Sequence, residues 1–252
     1  MKTDPSEALS KVPEVTLGFW IIKIFATTLG ETGGDAVSMS MDLGYLVGTM
    51  IFLAVFVIAV AAQIKAARFH PAIYWATIIA STTVGTTLAD YTTRSLGVGY
   101  PGGSLILLGL LLGSLYIWYR GMGSVDIATV GTTRSEIYYW LTITFSQTLG
   151  TALGDWTADT AGLGYLGGAS IFAALLIAVF LAYRLTRVSH VILFWTAFVL
   201  TRPLGAVVGD FLDKPLASGG LALSRYSATA VLVALIVACV IAFPQRAAHK
   251  AH

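Results

Sequence analysis

The chain has 252 residues, of which 56% are hydrophobic and 11% charged, with a net charge of +2 and a mean hydropathy of +0.80. Soluble domains carry about a quarter charged residues, so lipid rather than water is the expected solvent, and no basic block interleaved with aromatics is there to bind nucleic acid. The single cysteine, Cys239, excludes an intramolecular disulfide and a thiolate metal cluster.

Residues 1–13 include Lys2, Asp4, Glu7 and Lys11 and lack the basic-then-apolar order of a cleavable signal. A short cytoplasmic segment leading into a retained first helix is expected there. Eight apolar stretches follow, at about 14–37, 44–65, 70–92, 101–119, 135–157, 164–184, 189–211 and 221–243. Each approaches the roughly 20 residues that cross about 30 Å of hydrocarbon. Unpaired backbone is not tolerated in lipid and the runs lack the alternation of barrel strands, so all eight read as helices, followed by a C-terminal tail at 244–252.

The helices fall into four units, at about 14–67, 68–122, 134–187 and 188–243. Each opens with a tryptophan, then a glycine ten residues on, then an aspartate five further: Trp20, Gly30, Asp35; Trp75, Gly85, Asp90; Trp140, Gly150, Asp155; Trp195, Gly205, Asp210. A uniform shift of 120 maps the first pair of units onto the second, which reads as two nested duplications. Three units continue with a Gly-Tyr step (Gly44-Tyr45, Gly99-Tyr100, Gly164-Tyr165), while the fourth has Gly219-Gly220.

Two crossings per unit give all units one polarity. The expected fold is therefore an all-α membrane protein of eight transmembrane helices in four parallel two-helix repeats, with pseudo-twofold or pseudo-fourfold symmetry about the membrane normal. The nearly uncharged even-numbered spans read as lipid-facing and the odd-numbered ones as internal. Small residues four apart (Gly30 and Gly34, Gly85 and Ala89, Gly150 and Gly154, Gly205 and Gly209) suit close helix packing. The tryptophans read as interfacial anchors or packing. Lys2, Lys11, Lys65, Arg68, Arg120, Arg134, Arg184, Arg187, Arg246 and Lys250 share one side against Arg94, Lys214 and Arg225 on the other, which places both termini in the cytoplasm.

Charge inside a span is costly and marks a pathway, a pairing or a cavity. Seven such residues stand out: Glu31, Asp35, Asp90, Asp155 and Asp210 against Lys23 and Arg202. Helical spacing sets Thr28, Thr83 and Thr148 on the face of their aspartates, and in the fourth unit Pro203 replaces the threonine beside Arg202. If the units surround one axis, the four aspartates form a ring with hydroxyl neighbours. All-oxygen ligands favour hard divalent ions, and crowded carboxylates make exchange for protons available. His70, His190, His249 and His252 have no metal-ligand spacing and read as loop residues.

The segment from Lys11 to Asp35, with its Lys-Val-Pro-Glu-Val-Thr opening, Phe19-Trp20, Lys23, Thr27-Thr28, Gly30-Glu31 and Asp35, resembles a bacterial membrane-protein family of four tandem repeats of unknown function, often described as membrane-anchored. The resemblance implies a multi-pass protein of the bacterial cytoplasmic membrane and brings no substrate. The residues point to a transporter of a hard cation, a divalent metal exchangeable for protons. Asp35, Asp90, Asp155, Asp210, Glu31, Thr28, Thr83 and Thr148 would bind it, with Arg202 and Lys23 as counter-charges. The alternatives are a passive cation channel and a non-transporting scaffold or sensor. No resident cofactor beyond such a cation is expected, nor catalysis, since no nucleophile triad or phosphate loop is present.

Overall fold

A computed structural model of the chain describes residues 10–249, and among the described residues there are eight α-helices and no β-strand. They are α1 (Leu17–Asp35), α2 (Gly44–Lys65), α3 (Pro71–Asp90), α4 (Gly99–Met122), α5 (Thr133–Asp155), α6 (Gly164–Leu185), α7 (His190–Asp213) and α8 (Arg225–Ala242). Local chemistry sets several starts. Thr16 caps α1 by accepting from the Phe19 amide, Pro71 opens α3, and Thr132 and Ser135 form a reciprocal capping box on α5.

Six helices, α2, α3, α4, α6, α7 and α8, are long and apolar enough to cross a membrane. α1 and α5 are less apolar because Lys23, Glu31 and Asp35 interrupt the first, and Arg134, Glu136, Asp155 and many hydroxyls the second.

The odd-numbered helices close a ring, α1 against α3, α3 against α5, α5 against α7 and α7 against α1. Each even-numbered helix covers the inner helix of the next repeat: α2 lies on α3, α4 on α5, α6 on α7, and α8 returns to α1. The outer helices expose Ile58, Leu105, Ile106, Ile177 and Ile241 over much of their surface, an apolar exterior that suits hydrocarbon rather than water.

One contact repeats around the ring. Gly30 lies against Thr82, Gly85 against Gln147, Gly150 against Arg202 and Gly205 against Thr27, so each glycine meets the residue three positions before the glycine of the next inner helix. A Cβ added at any of the four would overlap that neighbour, which is the physical reason for glycine there.

The segments flanking the helical ring, residues 10–14 and 246–249, meet at one end of it. The Lys11 amide donates to Val130, Glu14 to Arg246 and Ala248 to Val12, while the Lys11 ammonium sits 2.7 Å from Glu136. Lys65, Arg68, Arg120, Arg134, Arg184 and Arg187 gather near this end because they lie at the last turns of outer helices, at the start of α5 or in the links between. Lys2 and Lys250 lie outside the described residues. Under this cap Phe19, Tyr74, Tyr139 and Phe194 pack edge-on or tilted against Trp20, Trp75, Trp140 and Trp195, and the Tyr74 and Tyr139 hydroxyls are 2.6 Å apart. Trp75, Trp140 and Trp195 are buried and Trp20 half-buried, so the indoles are core packing and not interfacial anchors. The reason is the aromatic residue before each tryptophan: two adjacent rings fill the space between neighbouring inner helices.

At the other end, α1, α3 and α5 each run past their aspartate into a wider π-helical turn, Ala36–Ser40, Tyr91–Ser95 and Trp156–Thr160. Gly44, Gly99 and Gly164, at φ of 75°, 73° and 65°, then start the outer helices. Gly219, at φ 84°, keeps this left-handed conformation in the fourth unit, where side chains are disfavoured.

Candidate functional site

The four repeat aspartates, three of them closing an inner helix and Asp210 lying in the last turn of α7, are all buried, and so is Glu31, one turn before Asp35. They are held in two pairs by residues four positions on. Arg94 places Nε 2.8 Å from Asp90 of its own helix and Nη2 3.0 Å from Asp155 on the next. Lys214 does the same a half-ring away, with Nζ 3.0 Å from Asp210 and bonded to Asp35. Arg225, at the start of α8, lies 2.8 Å from Asp213 and 3.9 Å from Asp35.

A second tier lies one turn deeper. The Arg202 Nη2 group donates to Glu31 at 3.0 Å and to the hydroxyls of Thr86 and Thr151, so one guanidinium from α7 touches the three other inner helices. Thr86 in turn donates to Glu31 at 3.3 Å. Oxygens of Glu31, Asp35 and Asp210 all lie within 4.8 Å of one another, a spacing that one cation could bridge. Asp35 Oδ1 and Asp155 Oδ1 are buried and have no hydrogen-bond partner among the described residues.

Charge gives this end its character. Six buried carboxylates (Glu31, Asp35, Asp90, Asp155, Asp210, Asp213) face four cations (Arg94, Arg202, Lys214, Arg225), leaving two surplus negative charges when all are ionised. Burial pushes Lys214 down, but the carboxylates of Asp210, Asp35 and Asp213 outweigh it and hold the ammonium above the ordinary lysine value of 10.5.

The residues expected from sequence are distributed unevenly over this arrangement. Glu31, Asp35 and Asp210 come together, while Asp90 and Asp155 form the separate Arg94 pair. Thr28, Thr83 and Thr148 donate their hydroxyls back to backbone carbonyls of their own helices, at Ile24, Ile79 or Ala80, and Thr144. Thr86 and Thr151, one turn on, meet the charged groups instead. Arg202 pairs with Glu31, whereas Lys23 lies away from the acidic end, bonded to Thr201 and set over the Phe198 ring.

Arg94, Lys214, Arg225 and Asp213 were not expected in the site. Their signal was legible in part: Asp90 to Arg94 and Asp210 to Lys214 are i, i+4 pairs. Nothing local marks Arg225, which reaches Asp213 across the α7–α8 link.

Comparison with curated proteins and with solved structures gives no match. A family profile described as Repeat of Unknown Function (DUF347) matches four times, over residues 18–69, 73–123, 138–189 and 193–244, each match taking in one inner and one outer helix. The tandem copies cover most of the sequence, and the chain belongs to the family built on this repeat.

Proposed function

We propose that this chain is an integral membrane transporter of a hard divalent cation. In this reading all eight helices span the bilayer, the four repeats stand parallel about a pseudo-fourfold axis reduced to twofold by the alternating Arg94 and Lys214 clamps, and both termini face the cytoplasm of a bacterial inner membrane. The observation that carries it is the approach of Glu31, Asp35 and Asp210 oxygens to within 4.8 Å, with Asp35 Oδ1 buried and unpartnered. Three buried carboxylates favour small, hard, oxygen-seeking ions.

Around the trio, Glu31, Asp35, Asp210 and Asp213 face Arg202, Lys214 and Arg225, a surplus of one negative charge, and the other surplus charge lies with the separate Arg94 pair. Lys214 and Arg202, which rest on the same carboxylates, act as tethered competitors: an entering ion displaces an ammonium or guanidinium contact rather than filling a vacant charge. Protons are the alternative occupants, since closely spaced buried carboxylates share them. The buried aromatic layer and its cap across the basic end support a carrier with a closed side over a continuously open pore.

The scaffold reading has one observation of its own. Arg94 satisfies Asp90 and Asp155 away from the Glu31, Asp35 and Asp210 trio, as a purely structural clamp between α3 and α5 would.

Uptake of Mn²⁺, Mg²⁺ and Ca²⁺ into proteoliposomes containing a pH-sensitive dye, for the native chain and Asp35→Asn, separates the readings. Native flux of at least one ion, lost in a folded Asp35→Asn protein, is expected, and a matching pH change identifies exchange. No native flux of any of the three from folded protein would remove the transport reading in favour of the scaffold.

A further inference from the structure

The two halves of the chain differ at one place that the shift of 120 would make alike. In the first half Phe56 of α2 is buried, with its ring edge-on to Trp140 at 6.4 Å, and closes the space beside that indole. The corresponding residue of α6 is Leu176, and the corresponding indole is Trp20. Leucine does not fill the place of a phenyl ring, and Trp20 is only half-buried where Trp140 is 2% exposed. A cavity of about 580 Å³ opens there between α1, α6 and α7, with Trp20, Leu176 and Phe194 among its walls.

The cavity runs along α7 from His190 to Thr201, eleven residues or about 16 Å. Its two ends differ in polarity. The Thr201 hydroxyl at the inner end is already spent, donating to the Phe198 carbonyl and accepting from Lys23. The mouth lies at the basic end of the ring, where Glu14 and Asp126 line it beside the imidazoles of His190 and His249. Among the described residues neither carboxylate forms an ion pair, and Asp126 uses one oxygen, Oδ1, to accept from the Ala128 amide. The shift of 120 sets Arg134 against Glu14 and Arg246 against Asp126. The open place therefore carries negative charge where its filled counterpart carries positive.

We infer that this cavity binds a lipophilic organic cation, an onium or protonated amine bearing aromatic or alkyl groups, with its apolar part beside Trp20 and Phe194 and its charge toward Glu14 and Asp126. The volume is that of a site for a ligand of this size, and an open indole face attracts cations as well as apolar groups. Phe180 and Tyr183, more than half exposed on α6, give the opening an apolar flank through which a molecule dissolved in the bilayer enters. An anion of the same shape would meet two carboxylates of its own sign. The cavity lies at the opposite end of the inner helices from Glu31, Asp35 and Asp210, and it stands whether or not the chain transports a metal ion.

Isothermal titration of the purified full-length protein in neutral detergent with tetraphenylphosphonium and, separately, with tetraphenylborate tests it, with protein-free micelles as the blank. The two probes share a shape and differ in the sign of their charge. Native protein should bind the phosphonium saturably, at one per chain, and the borate at least about tenfold more weakly. Leu176→Phe, which supplies the ring present in the other half, should weaken phosphonium binding at least about tenfold by filling the cavity. Glu14→Gln combined with Asp126→Asn should weaken it about fivefold, the scale of two exposed charges, and serves where Leu176→Phe does not fold, as judged by near-ultraviolet tryptophan dichroism. No saturable phosphonium binding by the native protein, equal binding of the borate, or phosphonium binding unchanged in folded Leu176→Phe or in the double variant would overturn the assignment.

Discussion

Replacing Lys214 by glutamine removes the cation that joins Asp210 to Asp35 while keeping a side chain of similar length. The Lys214 side chain is 13% exposed and those of Asp210 and Asp35 are 4% and 1% exposed, so the pair is neither a surface bridge nor a fully dry one. Breaking a buried pair by deleting one partner costs about 3–5 kcal/mol; the residual exposure of Lys214 lowers the expected loss to about 2–4 kcal/mol. The variant then presents Asp35 and Asp210 without one of the trio's two tethered competitors, Arg202 remaining on Glu31, so a divalent ion should bind it more tightly than it binds the native chain. An ion at about 100 times its dissociation constant adds roughly 2.7 kcal/mol, enough to restore most of what was lost. Unfolding in mixed micelles, with and without a chelator and then with Mn²⁺, Mg²⁺ or Ca²⁺, measures both effects. A variant that is destabilised and that none of these ions rescues would refute the idea that Lys214 occupies a cation site.

The same lysine sets a pH dependence. Its folded-state value lies above the unfolded 10.5, so its contribution is complete below pH 10.5 and is lost as pH rises through the higher folded value; the stability gap between native and Lys214→Gln should hold steady up to that pH and narrow above it. A gap already closing at neutral pH would contradict the assignment. Gly85→Val should cost about 1–3 kcal/mol or more, because a Cβ there stands 2.8 Å from the Gln147 Cβ, whereas Gly109→Val on α4, with nothing within 4 Å, should be nearly neutral; denaturant unfolding of the two compares them directly. Orientation can be read from single cysteines in a Cys239→Ser background. Asp42→Cys should react with an impermeant thiol reagent in intact cells and Arg187→Cys only after permeabilisation, and the opposite result would invert the topology.

The architecture was legible because its causes are local and repeated. The Trp, Gly, Asp spacing located all four inner helices, and the uncharged runs located the outer ones. Sequence could not reveal that each outer helix covers the inner helix of the next repeat, since no pattern within α2 distinguishes the surface of α1 from that of α3. The aspartates were found as intramembrane charges, but their division into pairs depends on Arg94 and Lys214, which had been assigned to the loops opposite the basic side. A residue four positions beyond a helical carboxylate remains on its face even after the span formally ends, and both side chains fold back onto their aspartates. The π-helical turns after Asp35, Asp90 and Asp155 had no sequence signal at all, because residues as different as Ala36, Tyr91 and Trp156 begin them.

The return of α8 onto α1 makes the chain a circle with one gap, bridged by the pairing of Pro13 with Ala247. The join between α7 and α1 is equivalent in kind to the join between α3 and α5, so a two-repeat ancestor could have closed the same ring as a twofold dimer. Such a dimer would carry every charge twice. A single polypeptide is free of that constraint: it holds Glu31 where the other units have Thr86, Thr151 and Ala206, and Arg202 where they have Thr27, Thr82 and Gln147. The one guanidinium–carboxylate contact at the heart of the ring is something only a single-chain ring can hold in a single copy.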